Sequence, residues 1–231
     1  AMEATGLISS GTTITATGNI TGGNINVAGS VYLSNDIYIK STANGAIRVG
    51  EGLDSSSGDQ INAIAIGKNA GQNTQGEGGI AIGLHAGRNT QGVTSVAVGH
   101  LAGETSQGTN SVAIGLWAGR DTQGTYSVAI GALAGNTSQG ANAIAIGRNA
   151  GTINQGANSI IINASGAVLQ QTTASTLTID PIRNDVANIA EIVMYNTSSK
   201  EVTYGNTISV TGNVTGGNLI ATGNIVGTTN G

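Results

Sequence analysis

The residues that could carry acid–base or metal chemistry are few in this 231-residue sequence. It has two histidines, His85 and His100, and no cysteine, whereas a stable zinc site needs several His, Cys or carboxylate ligands together. Its 12 Asp and Glu residues are scattered, although cleavage of a polysaccharide requires a pair of carboxylates facing one groove. We therefore predict no catalytic residue, no metal site and no cofactor, and we interpret the protein as not being an enzyme.

The elements that would position any functional side chain belong to a repeat of sixteen residues. Its unit reads S/A-I/V-A-I/V-G-x-x-A-G-x-x-T/S-Q-G-x-x, and its glycines predict turns. One glutamine recurs in each unit, from Gln75 to Gln155, and is expected to form a ladder of side-chain amides. A seventh unit begins at Ile160 and loses the register, because Asn163 takes the glycine position. The turn glycine that ends each A-I-G or A-V-G triplet occurs at Gly67, Gly83, Gly99, Gly115, Gly131 and Gly147.

Each I/V-A-I/V triplet predicts a short β-strand, because its side chains alternate between β-branched and small. Sixteen residues allow two such strands and two turns, which is one coil of a narrow β-solenoid with parallel strands about 4.8 Å apart. The β-branched residues would then form two apolar ladders on one face of the strand. The alanines from Ala65 to Ala145 would line the other face. Since an exposed row of alanines would be unusual, we expect a neighbouring chain to cover it.

Composition excludes several classes of protein. With 38 glycines, one tryptophan, no phenylalanine and 9% charged residues, the chain cannot build a conventional aromatic core. Its 39% hydrophobic content and net charge of −4 argue against a disordered chain. A total of eight Lys and Arg residues argues against a nucleic-acid partner. No apolar run approaches 18 residues, so membrane insertion is not expected.

The two residues that follow each A-I-G glycine vary most between units. They are polar in the first and last units and largely apolar between them. Stacking in register would bring five of these side chains together, and the cluster is interpreted either as a contact between chains or as a receptor-binding patch. Its members are Leu101, Trp117 and Leu133 in one ladder and Leu84 and Leu116 in the next.

The strand and turn S-V-A-I-G-x-x-A-G, found at 111–119, resembles the head repeat of trimeric autotransporter adhesins. The resemblance covers residues 61–166, and it implies a left-handed parallel β-roll with three chains to a head, and therefore a homotrimer. The repeat unit is longer than the commonest adhesin repeat. No coiled-coil stalk or membrane anchor is recognisable after it, which argues against the chain being anchored in a bacterial envelope.

The flanks of the array predict short strands separated by Asn, Gly and Ser turns. Residues 1–4 are interpreted as a tag or terminus, and residues 5–60 as an N-terminal β shaft segment. The Ser-rich end of that segment, with Asp54 and Asp59, is interpreted as a linker. Residues 167–204 are interpreted as a connector that contains a hairpin of strands 192–195 and 201–204, and residues 205–231 as a C-terminal shaft segment. The motifs T-G-N-I-T-G-G-N, D-P-I-R-N-D and M-Y-N-T-S-S-K-E-V-T-Y-G, in this order, resemble tail-fibre proteins of double-stranded DNA phages and large viruses.

These observations predict an all-β, trimeric β-roll flanked by shaft segments, belonging to a longer fibre on a virion. The expected function is host attachment, and the expected partners are two further copies of the chain and a host receptor or glycan. The main alternative is the head of a bacterial trimeric adhesin. Two further alternatives are an ice-binding solenoid and a polysaccharide-degrading spike. An ice-binding surface needs a flat, regular threonine ladder, and although a Thr and Ser row begins at Thr74, the row of residues next to it is irregular.

Overall fold

The computed structural model describes residues 47–49, 62–183 and 192–205. Within these ranges the chain forms only β-strands and turns, so the all-β prediction is confirmed there. Apart from Ile47–Val49 and Gly205, the predicted shaft segments 5–60 and 205–231 lie outside the described residues, and so do Asp54 and Asp59. In chain order the strands are β1 Ile47–Val49, β2 Ile64–Ile66, β3 Ile80–Ile82, β4 Val96–Val98, β5 Thr105–Gln107, β6 Val112–Ile114, β7 Asp121–Gln123, β8 Val128–Ile130, β9 Thr137–Gln139, β10 Ile144–Ile146, β11 Ile160–Asn163, β12 Leu177–Asp180, β13 Ile192–Tyr195 and β14 Val202–Gly205.

The repeat folds as a β-solenoid of about 7 turns, as predicted. One side of the solenoid is a nine-stranded parallel sheet in the order β1-β2-β3-β4-β6-β8-β10-β11-β12. The other side carries the three-stranded parallel sheet β5-β7-β9. Equivalent residues of successive coils pair directly, as Ala97 does with Ala113 and Ala113 with Ala129. The sixteen-residue period is therefore the length of one coil.

The nine-stranded sheet continues beyond the sixteen-residue units at both ends. At the N-terminal end Ile47 pairs with Ile64, and at the C-terminal end Ile160 pairs with Ile144 and then with Leu177. The seventh unit loses its glycine, as the sequence indicates, but its strand keeps the register. The Asn163 side chain compensates for the missing glycine turn, since its Nδ2 donates to the carbonyls of Arg148 (2.8 Å) and Ala167 (2.6 Å).

The core of the solenoid is made of alanine, which corrects the expectation that a neighbouring chain covers this row. Ala65, Ala97, Ala113 and their equivalents are 0% exposed because they point into the coil, where the two sides of the solenoid meet. Each coil already buries a glutamine side chain, so the inward position of the strand has room only for alanine in these coils. The β-branched ladders consequently point outward, and it is they that lack a cover. In β11 a larger residue, Ile161, takes the inward position.

Polar side chains fill the rest of the interior. The glutamine that recurs in each repeat is almost fully buried, and its Nε2 donates to the carbonyl of the first outward residue of its own coil, as Gln107 does to Val96 at 2.7 Å. Gln123 also donates to Gln139, and Gln139 to Gln155, at 3.2 and 3.1 Å. The predicted amide ladder therefore forms along the C-terminal coils, inside the solenoid. The bonds from each glutamine Nε2 to the strand carbonyl tie the two sides of one coil together, and the bonds between glutamines join successive coils.

The turn glycines are required by two separate constraints. Gly99 has a φ of +128°, a conformation that side chains rarely adopt, and a Cβ on it would lie 2.6 Å from the Gly115 carbonyl oxygen of the next coil. Gly67, Gly83, Gly115 and Gly131 meet the same two constraints. The glycine after each glutamine, such as Gly108, has no positive φ and is required only because the backbone of the next coil lies so close to it. Stacking at strand spacing thus leaves no room for a side chain at these positions.

The predicted hairpin in the connector is confirmed. Strands β13 and β14 pair antiparallel, with Val193 opposite Tyr204. The Asn196 side chain accepts hydrogen bonds from the backbone N–H groups of Ser198 and Ser199 at 2.8 and 3.0 Å, which fixes the turn between the strands.

Candidate functional site

The apolar residues that follow the turn glycines stack along the edge of the solenoid. The backbone N–H of Trp117 donates to the His100 carbonyl at 3.0 Å, and that of Leu133 donates to the Leu116 carbonyl at 2.8 Å. The same bond recurs in each coil from His85 to Asn149. We call the five apolar side chains of this edge the turn patch, which comprises Leu84, Leu101, Leu116, Trp117 and Leu133.

The second residue of each turn has a left-handed backbone, and this conformation is costly for the residues found there. Leu101 and Trp117 have φ values of +58° and Leu133 of +61°. Left-handed geometry costs a residue with a bulky side chain about 1–2 kcal/mol, whereas Asn tolerates it well. The equivalent residues at the two ends of the array are Asn69 and Asn149. The middle coils therefore carry apolar side chains at positions where the backbone favours asparagine.

Trp117 lies at the centre of the turn patch and is partly buried. The guanidinium of Arg120 stacks over its indole, 5.0 Å from the ring centroid. Arg120 is itself fixed by Asp121, whose Oδ2 accepts from Nε at 2.9 Å and from Nη2 at 2.6 Å. The indole Nε1–H is buried without a hydrogen-bond acceptor. An unpaired buried donor costs about 1–3 kcal/mol, so this group lowers the stability of the folded chain.

Sequence reasoning missed a row of charged residues beside the turn patch. Arg88 and Glu104 form an ion pair at 3.0 Å, and Arg120 occupies the same position in the following coil. Arg88, Glu104 and Arg120 are spaced by one repeat each, and this spacing was the signal that could have revealed them. We call Arg88, Glu104, Arg120 and Asp121 the charged stripe.

Charge in the array is concentrated at this edge. Residues 62–163 contain seven charged side chains, which are Lys68, Glu77, Arg88, Glu104, Arg120, Asp121 and Arg148. Four of these form the charged stripe, and both histidines of the chain lie in turns of the same coils. The two cations of the stripe are each paired with an acid, so the stripe carries no net charge.

His85 lies at the N-terminal end of this cluster. Its Nε2 lies 3.1 Å from the Asn69 Nδ2, and its Nδ1 lies 3.4 Å from an Arg88 guanidinium nitrogen. Burial, followed by the charge of Arg88, lowers the pKa of His85 below its ordinary value of 6.5, and this outweighs the opposing effect of Glu104. The folded state consequently favours the neutral imidazole.

This shift predicts a pH dependence of stability. Below pH 6.5 the unfolded chain binds more protons at His85 than the folded chain does. The stability that neutral His85 contributes is therefore complete above pH 6.5 and is lost as the pH falls toward the lowered pKa of the folded state. His85→Asn should remove that component, because asparagine occupies the equivalent turn position at Asn69. Urea unfolding at pH 7.5 and 5.0 measures the effect. If the parent and His85→Asn lose the same amount of unfolding free energy between pH 7.5 and pH 5.0, the role assigned to His85 is contradicted.

A second exposed surface lies on the nine-stranded sheet. The outward residues of its strands form two apolar ladders, in which Ile66, Ile114 and Ile130 are each 37–38% exposed. We call this surface the outer Ile/Val face. It repeats in every described coil, whereas the turn patch and the charged stripe are confined to the middle of the array. A contact that runs along the solenoid therefore suits the outer Ile/Val face, and a local contact suits the turn patch.

Other predicted sites gain no support from the geometry. The Thr and Ser row from Thr74 to Ser138 is exposed, but Ser106, Thr122 and Ser138 have left-handed backbones that Thr74 and Thr90 lack, so it is not a regular flat surface. No group of three His, Cys, Asp or Glu in the described ranges is arranged to hold a metal ion. Among the same residues, no helix has the length and hydrophobicity of a membrane span.

Comparison with protein-family models, curated proteins and solved structures gave no match.

Proposed function

We propose that this chain is a segment of a homotrimeric virion fibre that mediates attachment to a host cell. The observation that supports it most is the outer Ile/Val face, a continuous apolar surface that runs along the nine-stranded sheet of a chain with 9% charged residues. Large contiguous apolar surfaces on soluble proteins usually mark contacts with a partner. A second and a third copy, each presenting the same ladder at the same spacing, would cover it along its whole length.

The fibre function follows from the way the coils are joined. Each coil is bound to the next by strand pairing on both sides of the solenoid and by backbone bonds in both turns. Such a stack resists bending, and it would hold three copies of any exposed edge at fixed positions. Three identical weak sites on one rigid body bind a surface with an avidity far above that of one site.

The head of a bacterial trimeric adhesin is the second candidate. The S-V-A-I-G strands favour it equally, since the same sheet and the same apolar face would serve either owner. Antibodies against this protein separate the two, because they would label virions in one case and the bacterial envelope in the other.

The assembly is tested by placing charge on the outer Ile/Val face. The protein is expected to sediment at about three times its chain mass of 22.7 kDa. Ile114→Lys together with Ile130→Lys should dissociate it, because burying unpaired ammonium groups costs several kcal/mol each. Analytical ultracentrifugation measures the mass, and binding of the labelled protein to host cells should weaken about a hundredfold on dissociation.

The matched control is Thr90→Lys with Thr125→Lys, which adds the same charge at exposed positions away from this face. It should remain trimeric and should bind as the parent does. A parent protein that is monomeric and folded would overturn the proposed assembly, and a trimer that binds no cell of any candidate host would overturn the attachment function.

A further inference from the structure

We propose that the centre of the turn patch, around Trp117, Arg120 and Asp121, is a binding site for a neutral oligosaccharide. The inference rests on the proposed function for the source of the sugar, which is the host surface. It deepens that function by naming the site and the chemical class of its ligand.

The repeat serves as an internal control for this assignment. All coils share one backbone, so a side chain that departs from the pattern is not needed for folding. Glu104 and Arg120 occupy a position that holds Gln72, Asn136 and Thr152 elsewhere, and Trp117 occupies a position that holds asparagine at both ends of the array. Function-bearing residues are expected where such departures cluster, and here they cluster in neighbouring coils.

The chemistry of these side chains fits a sugar. Ring faces of hexoses carry C–H groups that pack on an indole, while their hydroxyls both donate and accept hydrogen bonds. Next to the indole, Arg120 offers hydrogen-bond donors and Asp121 offers acceptors. The two side chains are held together by bonds of 2.9 and 2.6 Å from the Arg120 Nε and Nη2 to the Asp121 Oδ2. The indole Nε1–H has no acceptor within the chain. An apolar platform with a few fixed polar groups is typical of small-ligand sites.

The charge balance selects a neutral ligand. Arg120 is neutralised by Asp121 and Arg88 by Glu104, at 2.6 and 3.0 Å. A carboxylate or sulfate on the sugar would meet Asp121 and Glu104 without gaining a free cation in the stripe.

The site is also distinct from the proposed contact between chains. The outer Ile/Val face is uniform from coil to coil, as a contact along a rod requires. The indole and its charged neighbours lie at one level of the solenoid, which suits a ligand of a few sugar rings.

The protein's single tryptophan makes the test direct, because its fluorescence reports only on this site. Neutral gluco-, galacto- and manno-oligosaccharides are titrated against the full chain, with sialylated and sulfated oligosaccharides of equal length beside them. We expect a saturable change in emission with at least one neutral series, and calorimetry should show binding weakened about tenfold or more in Trp117→Asn. That variant should fold, since Asn69 and Asn149 adopt the same backbone conformation.

Tyr126→Asn is the matched control, since it replaces an aromatic residue by asparagine at an exposed left-handed turn position outside the turn patch, where other coils carry Asn110 and Asn142, and it should bind within about twofold of the parent. No binding of any neutral series, stronger binding of anionic sugars, or undiminished binding by Trp117→Asn would each overturn the site. Sedimentation in the same buffers separates this result from the proposed function. A trimer that binds no sugar refutes the site alone, and a monomer that binds sugar refutes the assembly alone.

Discussion

Replacing Ala113 by leucine is expected to prevent the repeat array from folding. Ala113 is fully buried, and its neighbours along the ladder are Ala97 and Ala129, which are equally buried. The interior of the coil offers no space, since even a Cβ on Gly119 would lie 3.2 Å from the Ala113 Cβ. Strand pairing fixes the distance to the next coil, so the structure cannot expand locally. Overpacking of cores costs about 1–3 kcal/mol and more where relaxation is blocked.

Circular dichroism and the free energy of unfolding measure the effect. We expect loss of the β signal, or a decrease of about 3 kcal/mol or more in that free energy. Val112→Leu is the matched control, because it adds a methylene to the neighbouring residue of the same strand on its outward side. Its cost should stay below about 1 kcal/mol. Similar costs for the two variants would show that the alanine row is not the core.

Gly108→Ala should be the second severe substitution. Gly108 lacks a positive φ, so its requirement for glycine is steric. An added Cβ would lie 2.6 Å from the carbonyl carbon and oxygen of Gly124 and from the Thr125 nitrogen, all of which are backbone atoms of the next coil. Backbone cannot yield as a flexible side chain would, and the coils would have to separate. We expect a cost of about 3 kcal/mol or more, measured by thermal or denaturant unfolding.

Gly78→Asn provides the control for this substitution. A Cβ on Gly78 would come no closer than 3.4 Å to the Thr94 side chain, and the φ of +65° at Gly78 suits asparagine. The array itself places Asn110, Asn142 and Asn158 in this turn position. The variant should unfold within about 0.5 kcal/mol of the parent. A destabilisation as large as that of Gly108→Ala would mean that glycine is needed here for a reason other than close approach.

The period and the strands could be predicted from the sequence because both depend on spacing alone. Alternation in I/V-A-I/V shows that Ile64 and Ile66 share one face and Ala65 the other. It does not show which face is inward, and the expectation that a neighbouring chain covers the alanine face was wrong. The deciding quantity is the width of the coil. The glutamine buried in each coil, together with turn glycines such as Gly119, whose added Cβ would lie 3.2 Å from the Ala113 Cβ, leaves room for only a small side chain at the inward position of the strand.

The candidate site could be predicted in part. Stacking of Leu101, Trp117 and Leu133 follows directly from the period, and the structure places these residues in consecutive coils of one ladder. The ion pair of Arg88 and Glu104 joins residues sixteen positions apart, which only the register between coils brings together. The left-handed backbone at Trp117 depends on the turn geometry, which spacing alone does not specify.

The repetition of one register from β2 to β11 has a consequence for how such a protein changes over generations. Because every interior coil presents the same bonding pattern to both neighbours, duplication or loss of one sixteen-residue unit in the gene would join two compatible surfaces. Each event would lengthen or shorten the rod by about 4.8 Å while the sequences at its two ends stayed the same. The length of the solenoid could therefore change in small equal steps, independently of the residues at its two ends.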